Sequence, residues 1–378
     1  MDFDLSEEQR LLKESIDGLL TDTYEFEDRK KYAKEKGGWS RAIWSRLAEQ
    51  GLLGLPFGEI DGGFGAGAVE TSIVMEALGR ALVLEPYLST VVIGGGCLRH
   101  GGSAAQKRAH IPSIIDGSKT FAFAQLEKSS RYDLNDVKTS AKKKGDGWII
   151  DGEKLVVING ESADALIVTA RTKGSQRDRT GVGVFLVPAK DKCIVKKSYP
   201  TQDGLHAADI TFTSVEVGSD GVIGDSENAL PLIERVVDEA RAALCAEAVG
   251  VMDESLKNTL EYLKTRRQFG LPIGSFQSLQ HRAADMFVAL ELARSMSMFA
   301  TMATNFDHEP ERAMAVAAAK VQIGRSSKFI GQQSLQLHGG IGMTMDAKIG
   351  HHFKRLTMIE NTFGDAEYHL RRVSNTLV

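Results

Sequence analysis

Apolar residues recur at three- and four-residue spacing through the first third of the chain, give way to short alternating runs in the middle, and return to helical spacing to the end. Ser6-Glu7-Glu8-Gln9 is a capping-box pattern, and Leu11, Leu12, Ile16, Leu19 and Leu20 behind it form one apolar helical face. Further helical patterns run through residues 39–50, 69–82 and 104–115, with Gly-rich or Pro-containing breaks between them. From Phe121 to Gly224 the period shifts toward two, in β-branched and aromatic runs divided by turn dipeptides such as Asp146-Gly147 and Asp151-Gly152. Closely spaced strands with short turns predict a small barrel or sandwich rather than a parallel sheet. Pro231 suits the first turn of a helix, and segments over 230–267, 275–305 and 310–337, with a shorter one after Asp365, predict a bundle. The expected fold is mainly α with a central β-barrel domain: a helical domain over 1–118, the barrel over 119–226 and a helical bundle over 227–378.

The stretch from Glu239 to His281 organises this pattern. Ala240, Leu244, Glu247 and Val251 fall on one helical stripe, so a single carboxylate sits among small apolar residues. Gly270, Pro272 and Gly274 interrupt the helix and Ser275 is placed to cap the next one. The corner between them, Arg266-Arg267-Gln268-Phe269-Gly270, carries paired cations, an aromatic and an amide, more chemistry than a loop needs in order to turn.

Composition narrows the classes. The 378 residues exceed one ordinary core, so more than one domain is expected. A net charge of −4 with intermixed signs offers no basic face for nucleic acid. Cys97, Cys193 and Cys245 are few and widely spaced, which indicates neither a disulfide framework nor a metal site and fits a reducing cytoplasm. Met1-Asp2-Phe3-Asp4-Leu5 opens with acids where a leader peptide carries basic residues, and no later segment approaches the roughly 18 uncharged apolar residues of a membrane span.

Arg266-Arg267-Gln268-Phe269-Gly270 with Gln277, and Gln336-Leu337-His338-Gly339-Gly340-Ile341-Gly342 nearer the carboxyl end, resemble the flavin-gripping segments of the acyl-CoA dehydrogenase family. Leu53-Gly54-Leu55-Pro56 and Gly62-Gly63-Phe64-Gly65 extend the likeness over essentially the whole chain, and within the family it is nearest to the small subunit of pimeloyl-CoA dehydrogenase and its relatives. The resemblance implies FAD as cofactor, an acyl-CoA thioester dehydrogenated to a trans-2-enoyl-CoA, electrons passed to an electron-transferring flavoprotein, and a homo- or hetero-tetramer. It places Arg266 on the FAD pyrophosphate, Gln268, Phe269 and Gln277 along the cofactor of a neighbouring subunit, and Gln336, Gly339 and Gly340 over the same diphosphate. Guanidinium pairs with phosphate through two parallel hydrogen bonds, and glycine permits close backbone approach, so these residue types suit that work.

The family's proton-abstracting glutamate has no counterpart at either of its usual positions, which fall here on Phe363 and Ala240. Glu247, two helical turns beyond Ala240 and with no cation adjacent in sequence, is the expected base, its pKa raised toward neutrality by burial; Asp365 and Glu367 are fallbacks. The plainer reading of Glu247 is a carboxylate bonded to a neighbouring helix. Arg241 matches an arginine bordering the acyl-CoA site, and Ser130 keeps a family position there. Two flavin-bonding hydroxyls are replaced by Ala124 and Ile158, and the stacking indole by Val156. These departures raise a second expectation, a non-catalytic partner that completes another chain's FAD site; a flavin monooxygenase or oxidase is a third. Gly94, Gly95 and Gly96 are expected to leave room for a long or bulky acyl group.

Overall fold

The computed structural model describes residues 5–376. The acidic opening at residues 1–4 therefore lies outside the described residues. In chain order the helices are α1 (Glu7–Thr23), α2 (Phe26–Tyr32), α3 (Arg41–Glu49), α4 (Ala68–Ala81), α5 (Gly95–Gly101), α6 (Ala104–Ile115), α7 (Leu230–Thr265), α8 (Gln277–Ala303), α9 (Glu309–His338), α10 (Lys348–Asn361) and α11 (Ala366–Thr376). The chain forms two compact units, one of Met1–Lys30, Ala68–Val83 and Arg241–Val378, the other of Lys31–Gly67 and Leu84–Ala240.

The capping box at Ser6 forms as expected: its hydroxyl accepts from Gln9 N at 3.2 Å while the Gln9 side chain accepts from Ser6 N at 3.0 Å. The long segments also stand, but α10 is an addition. Ser275 does not cap α8; it ends a short 3-10 turn, and Phe276 is the N-cap with no side-chain bond.

In the second unit, the period-two region folds into β1 (Phe121–Ala124), β2 (Ser140–Lys144), β3 (Gly147–Ile158), β4 (Ala165–Arg171), β5 (Val182–Pro188), β6 (Ile194–Pro200), β7 (His206–Val217) and β8 (Val222–Ile223). They make one sheet in the order β6-β7-β3-β2-β4-β5-β8, with β1 laid parallel on β4. The expected closed barrel is thus a mixed sheet whose ends, β6 and β8, do not pair among the described residues. Its core is Leu166, Val168, Phe185, Val187, Ile150, Ile210 and their neighbours. The segment Leu88–Gly94 is a π-helical turn, buried over residues 89–94 and tied to β1, since the Thr90 hydroxyl accepts from Phe121 N at 3.1 Å and donates to its carbonyl at 3.3 Å.

The first unit is a helical bundle. Its tightest contact is between α4 and α7: a Cβ added to Gly250 lies 1.9 Å from the Glu76 carbonyl oxygen, and one added to Gly79 lies 2.1 Å from that of Glu247. The two backbones therefore touch with nothing between them. Helix α8 is long and apolar enough, by length and composition, to cross a membrane, but it carries Asp285, Glu291 and Arg294 and so is not an uncharged apolar run; it packs on α9, and Met286, Leu290, Ala293 and Ala300 are buried.

Gly250→Ala or Gly79→Ala forces overlap with backbone and is expected to destabilise by about 3 kcal/mol or more. Gly18→Ala, in an exposed stretch of α1 where the added methyl meets nothing within 4 Å, is expected to stabilise by roughly 0.5–1 kcal/mol. Chemical denaturation midpoints check both.

Candidate functional site

The Arg266–Gly270 corner is a two-residue hairpin. Strands β9 (Arg267–Gln268) and β10 (Leu271–Pro272) pair antiparallel, and Phe269 and Gly270 between them have φ of 55° and 81°. Two positive φ values are what this turn demands, and Asn-Gly is the usual solution. A phenylalanine there is strained, and the ring is also 91 % exposed, resting edge-on against Phe276 at 6.1 Å. Arg266 and Arg267 are exposed, and their guanidinium groups make no hydrogen bond or ion pair among the described residues.

The second expected segment lies at the same end of the bundle. His338, at the end of α9, stacks on Tyr262 of α7 at 4.5 Å, one turn before Arg266, and Arg282 of α8 reaches Gln333 of α9 at 3.4 Å. Gln336, Gly339 and Gly340 are exposed there, and a Cβ on either glycine meets nothing within 4 Å. Gln277, at the start of α8, is exposed as well. The structure thus brings together Arg266, Gln268, Phe269, Gln277, Gln336, Gly339 and Gly340 as one open, cation-bearing end.

Glu247 has different surroundings from those expected. It is buried, and Arg355 of α10 grips it with two parallel bonds, Nε to Oε1 at 2.6 Å and a terminal nitrogen to Oε2 at 2.7 Å. The expectation of a carboxylate without a neighbouring cation is therefore corrected. A guanidinium in this geometry occupies the oxygens a base would use. No sequence neighbour signals Arg355, because it lies on the helix that periodicity missed.

Arg241 is also spoken for. Its Nε donates to the Phe363 carbonyl at 2.9 Å, and His369 Nε2 lies 3.1 Å from the same oxygen. Lys320 of α9, buried, donates to the carbonyls of Ile359 at 2.7 Å, Thr362 at 3.1 Å and Glu360 at 3.3 Å, capping the end of α10. Burial pushes the Lys320 ammonium down to about 8, and burial followed by the Arg241 charge pushes His369 down to about 2. Held from three sides, the corner carries Phe363 at φ 56° and no carboxylate. Of the fallbacks, Asp365 accepts from Tyr368 N at 2.7 Å at the start of α11, and Glu367 is exposed.

In the second unit, Ser130 is buried and turned inward: its hydroxyl accepts from Glu127 N at 2.9 Å and donates to Glu127 O at 3.1 Å, so it closes a turn. Beside it is a cluster that sequence reasoning missed. Lys154 of β3, fully buried, donates to Glu127 at 2.7 Å, to Thr169 at 3.0 Å and to the Gln125 carbonyl at 3.2 Å. Burial raises the Glu127 carboxyl, but the Lys154 charge and bonds from Lys154, Thr139 and Lys138 outweigh it and leave it below the usual carboxylate range. Val156 sits at a β-bulge, with φ of 48°, and its side chain is exposed; Ala124 is sealed in the sheet core. The glycines read as room for an acyl chain are filled: a Cβ on Gly94 meets Phe121 at 2.7 Å, on Gly95 meets Phe57 at 2.5 Å and on Gly96 meets Val236 at 3.3 Å. They make space for the protein's own side chains, so the expectation of a bulky substrate loses its ground.

Residues 6–118, 122–216 and 230–378 match the families described as acyl-CoA dehydrogenase N-terminal, middle and C-terminal domains. The chain is 31 % identical over 314 residues to the acyl-CoA dehydrogenase FadE12 of Mycobacterium tuberculosis, covering 80 % of this chain and 79 % of that protein. The chain belongs to the acyl-CoA dehydrogenase family. It is also 27 % identical over 372 residues to the probable acyl-CoA dehydrogenase YngJ of Bacillus subtilis, covering 97 % of each. Among solved structures it resembles a chain of the ChsE4-ChsE5 complex of Mycobacterium tuberculosis, with a TM-score of 0.89 and 26 % identity over 100 % of this chain and 99 % of that one.

The members of this acyl-CoA dehydrogenase family are oxidoreductases, and the residues present fit part of the FAD the family uses. Two uncommitted guanidinium groups and open glycine backbone suit a diphosphate. Ala124, Val156 and Ile158 offer the flavin ring neither a side-chain hydroxyl nor an aromatic face.

Glu247→Gln leaves the Arg355 guanidinium buried beside a neutral amide, and is expected to lower stability by roughly 3–5 kcal/mol. Glu247→Leu combined with Arg355→Met is expected to recover most of that loss, as measured by urea denaturation. Equal losses in the single and the double variant would show that the pair is not the reason Glu247 is buried.

Proposed function

We propose that this chain is the non-catalytic subunit of a heteromeric FAD-dependent acyl-CoA dehydrogenase, lending its hairpin and the end of α9 to an FAD whose ring is held by a partner's sheet. The observation that carries this reading is the two-bond grip of Arg355 on Glu247. With Glu247 committed, Phe363 and Ala240 lacking a carboxylate, Asp365 spent on the α11 start and Glu367 turned to solvent, no residue expected to take the α proton is both buried and uncommitted. The likeness to a chain of the ChsE4-ChsE5 complex, an assembly of two differently named chains, supports the same reading.

In the assembled enzyme, FAD supplies the hydride acceptor for α,β-dehydrogenation of an acyl-CoA to a trans-2-enoyl-CoA. This chain's contribution is binding. Arg266 pairs with the diphosphate, Gly339 and Gly340 let backbone approach it, and Phe269 with Gln268 and Gln277 covers the adjoining part of the cofactor. The partner subunit provides the base and the ring site, and an electron-transferring flavoprotein takes the electrons. Arg241, held on Phe363, shapes the corner rather than touching substrate. Cytoplasmic localisation accords with the three free cysteines.

The visible absorbance spectrum tests this directly. The chain purified alone is expected to be colourless, and to become yellow after co-expression with a homologous chain that carries an aromatic at the Val156 position and a hydroxyl at that of Ile158. A yellow protein alone, bleached by an acyl-CoA, would instead make it a self-sufficient dehydrogenase. In the heteromer, Glu247→Gln is expected to leave turnover per bound FAD within about two-fold, whereas Arg266→Ala is expected to weaken FAD binding by about ten-fold or more, the loss of one charge-assisted pair.

A further inference from the structure

Behind the loop of residues 339–347 lies a group of side chains that the binding of a diphosphate does not use. His352 of α10 is completely buried, and neither ring nitrogen has a hydrogen-bond partner among the described residues. His351, its neighbour, lies 3.0 Å from the Met345 carbonyl through Nε2 and stacks edge-on against Phe26 of α2 at 4.9 Å. His338, where α9 enters the loop, has Nδ1 2.8 Å from the Ser334 carbonyl and its ring on Tyr262. The loop is pressed on the first turn of α10: a Cβ on Gly350 lies 3.0 Å from the Gly342 carbonyl oxygen, and one on Gly342 lies 3.3 Å from Ile349.

The charges around this group are nearly all positive. From α2 come Arg29, whose Nε donates to the Leu82 carbonyl at 2.8 Å, and Lys30, 3.4 Å from the exposed Asp346. From α10 come Lys348 and Lys354, the latter against the Met345 sulfur. The carboxylate supplied by α7, Glu254, is bonded to Lys348 at 3.1 Å and to Asn258 at 3.0 Å. A proton added to His352 would meet Arg29, Lys348, His351 and His338 and no acceptor.

We infer that His352, with His338 and His351 around it, is an acid-sensitive latch beneath residues 339–347: the loop stays closed while this ring is neutral and opens when it is protonated. Burial is the first cause lowering the proton affinity of all three, and for His352 the neighbouring cations add to it. An imidazole kept neutral in the closed form takes up a proton more readily in the open one. Its contribution to closure is therefore complete above the ordinary histidine value of 6.5 and is lost as pH falls below it. This one ring favours opening by up to about ten-fold per pH unit in that range. The latch rests on the complete burial of His352 without a partner among the described residues and on the packing of the loop against α10; only its consequence, release of FAD on acidification, rests on the function proposed above.

Hydrogen exchange of the full chain at pH 7.5 and 5.5, corrected for the intrinsic pH dependence of exchange, tests the latch. Amides of residues 339–347 are expected to lose about ten-fold or more of their protection at the lower pH while the middle of α8 keeps its own. His352→Leu, apolar and similar in volume, is expected to abolish most of that loss. His352→Met, which also removes the titrating ring and is flexible in shape, provides a second variant if the first folds poorly, and is expected to abolish most of the loss as well. Unchanged protection in the natural chain, or the same loss in both variants, would overturn the latch. Loop opening without faster FAD release from the heteromer would uphold it and overturn the functional reading instead.

Discussion

The backbone contact between α4 and α7 is the constraint from which most of the first unit follows. Helices packed through ordinary side chains stay about 8–10 Å apart, and only glycine at the crossing lets carbonyl oxygens come nearer. Gly79 faces the Glu247 carbonyl and Gly250 faces that of Glu76. Space on that side of α7 is filled by α4's main chain, and the Glu247 carboxylate is taken by α10. A buried charge there requires a partner, and Arg355 supplies it with both oxygens satisfied. The same pair fixes α10 on α7, and with it the position of the corner that follows α10.

That corner shows how this fold uses its buried cations. Lys320 and Arg241 are almost completely buried, and the bonds seen for Lys320 all go to backbone carbonyls where α10 ends. Carbonyls at a helix terminus carry partial negative charge and lack intrahelical donors, so a lysine there satisfies both needs. The cost is visible in the lysine, whose proton affinity falls on burial. These buried cations are thereby spent on shape, whereas the pair at the hairpin is exposed and without a protein partner among the described residues.

This division explains what could be read in the sequence and what could not. The long helices were legible because α7, α8 and α9 carry apolar stripes over many turns. Helix α10 was not, because between Ile349, Leu356 and Ile359 it buries His351, His352 and Arg355, whose burial depends on partners from distant segments. Missing α10 meant missing the partner of Glu247. The strands were legible from alternation, but alternation carries no pairing order, so the parallel seating of β1 on β4 could not be foreseen. Glycines at 94–96 were read as space for substrate, yet an absent side chain says only that something else is close, and here Phe121, Phe57 and Val236 are. The hairpin and the end of α9 stood out most clearly in the sequence, because their residue types are ones that offer charge, amide and open backbone outward.

The hairpin carries the argument for a partner furthest. Phe269 combines a left-handed backbone with a ring almost wholly in water, so it has neither local comfort nor burial to hold it. Asn at that place would relieve the backbone and lose only exposed apolar area. A strained residue persists when its surroundings over-determine it or when strain positions it for a contact made elsewhere. The hairpin's own surroundings are slight: two short strands and one edge-on ring. On the function proposed above, the contact that would justify Phe269 lies outside this chain, near two guanidinium groups that have no partner among the described residues. A surface joining an aromatic ring to two such cations matches a nucleotide held against another subunit better than it matches solvent.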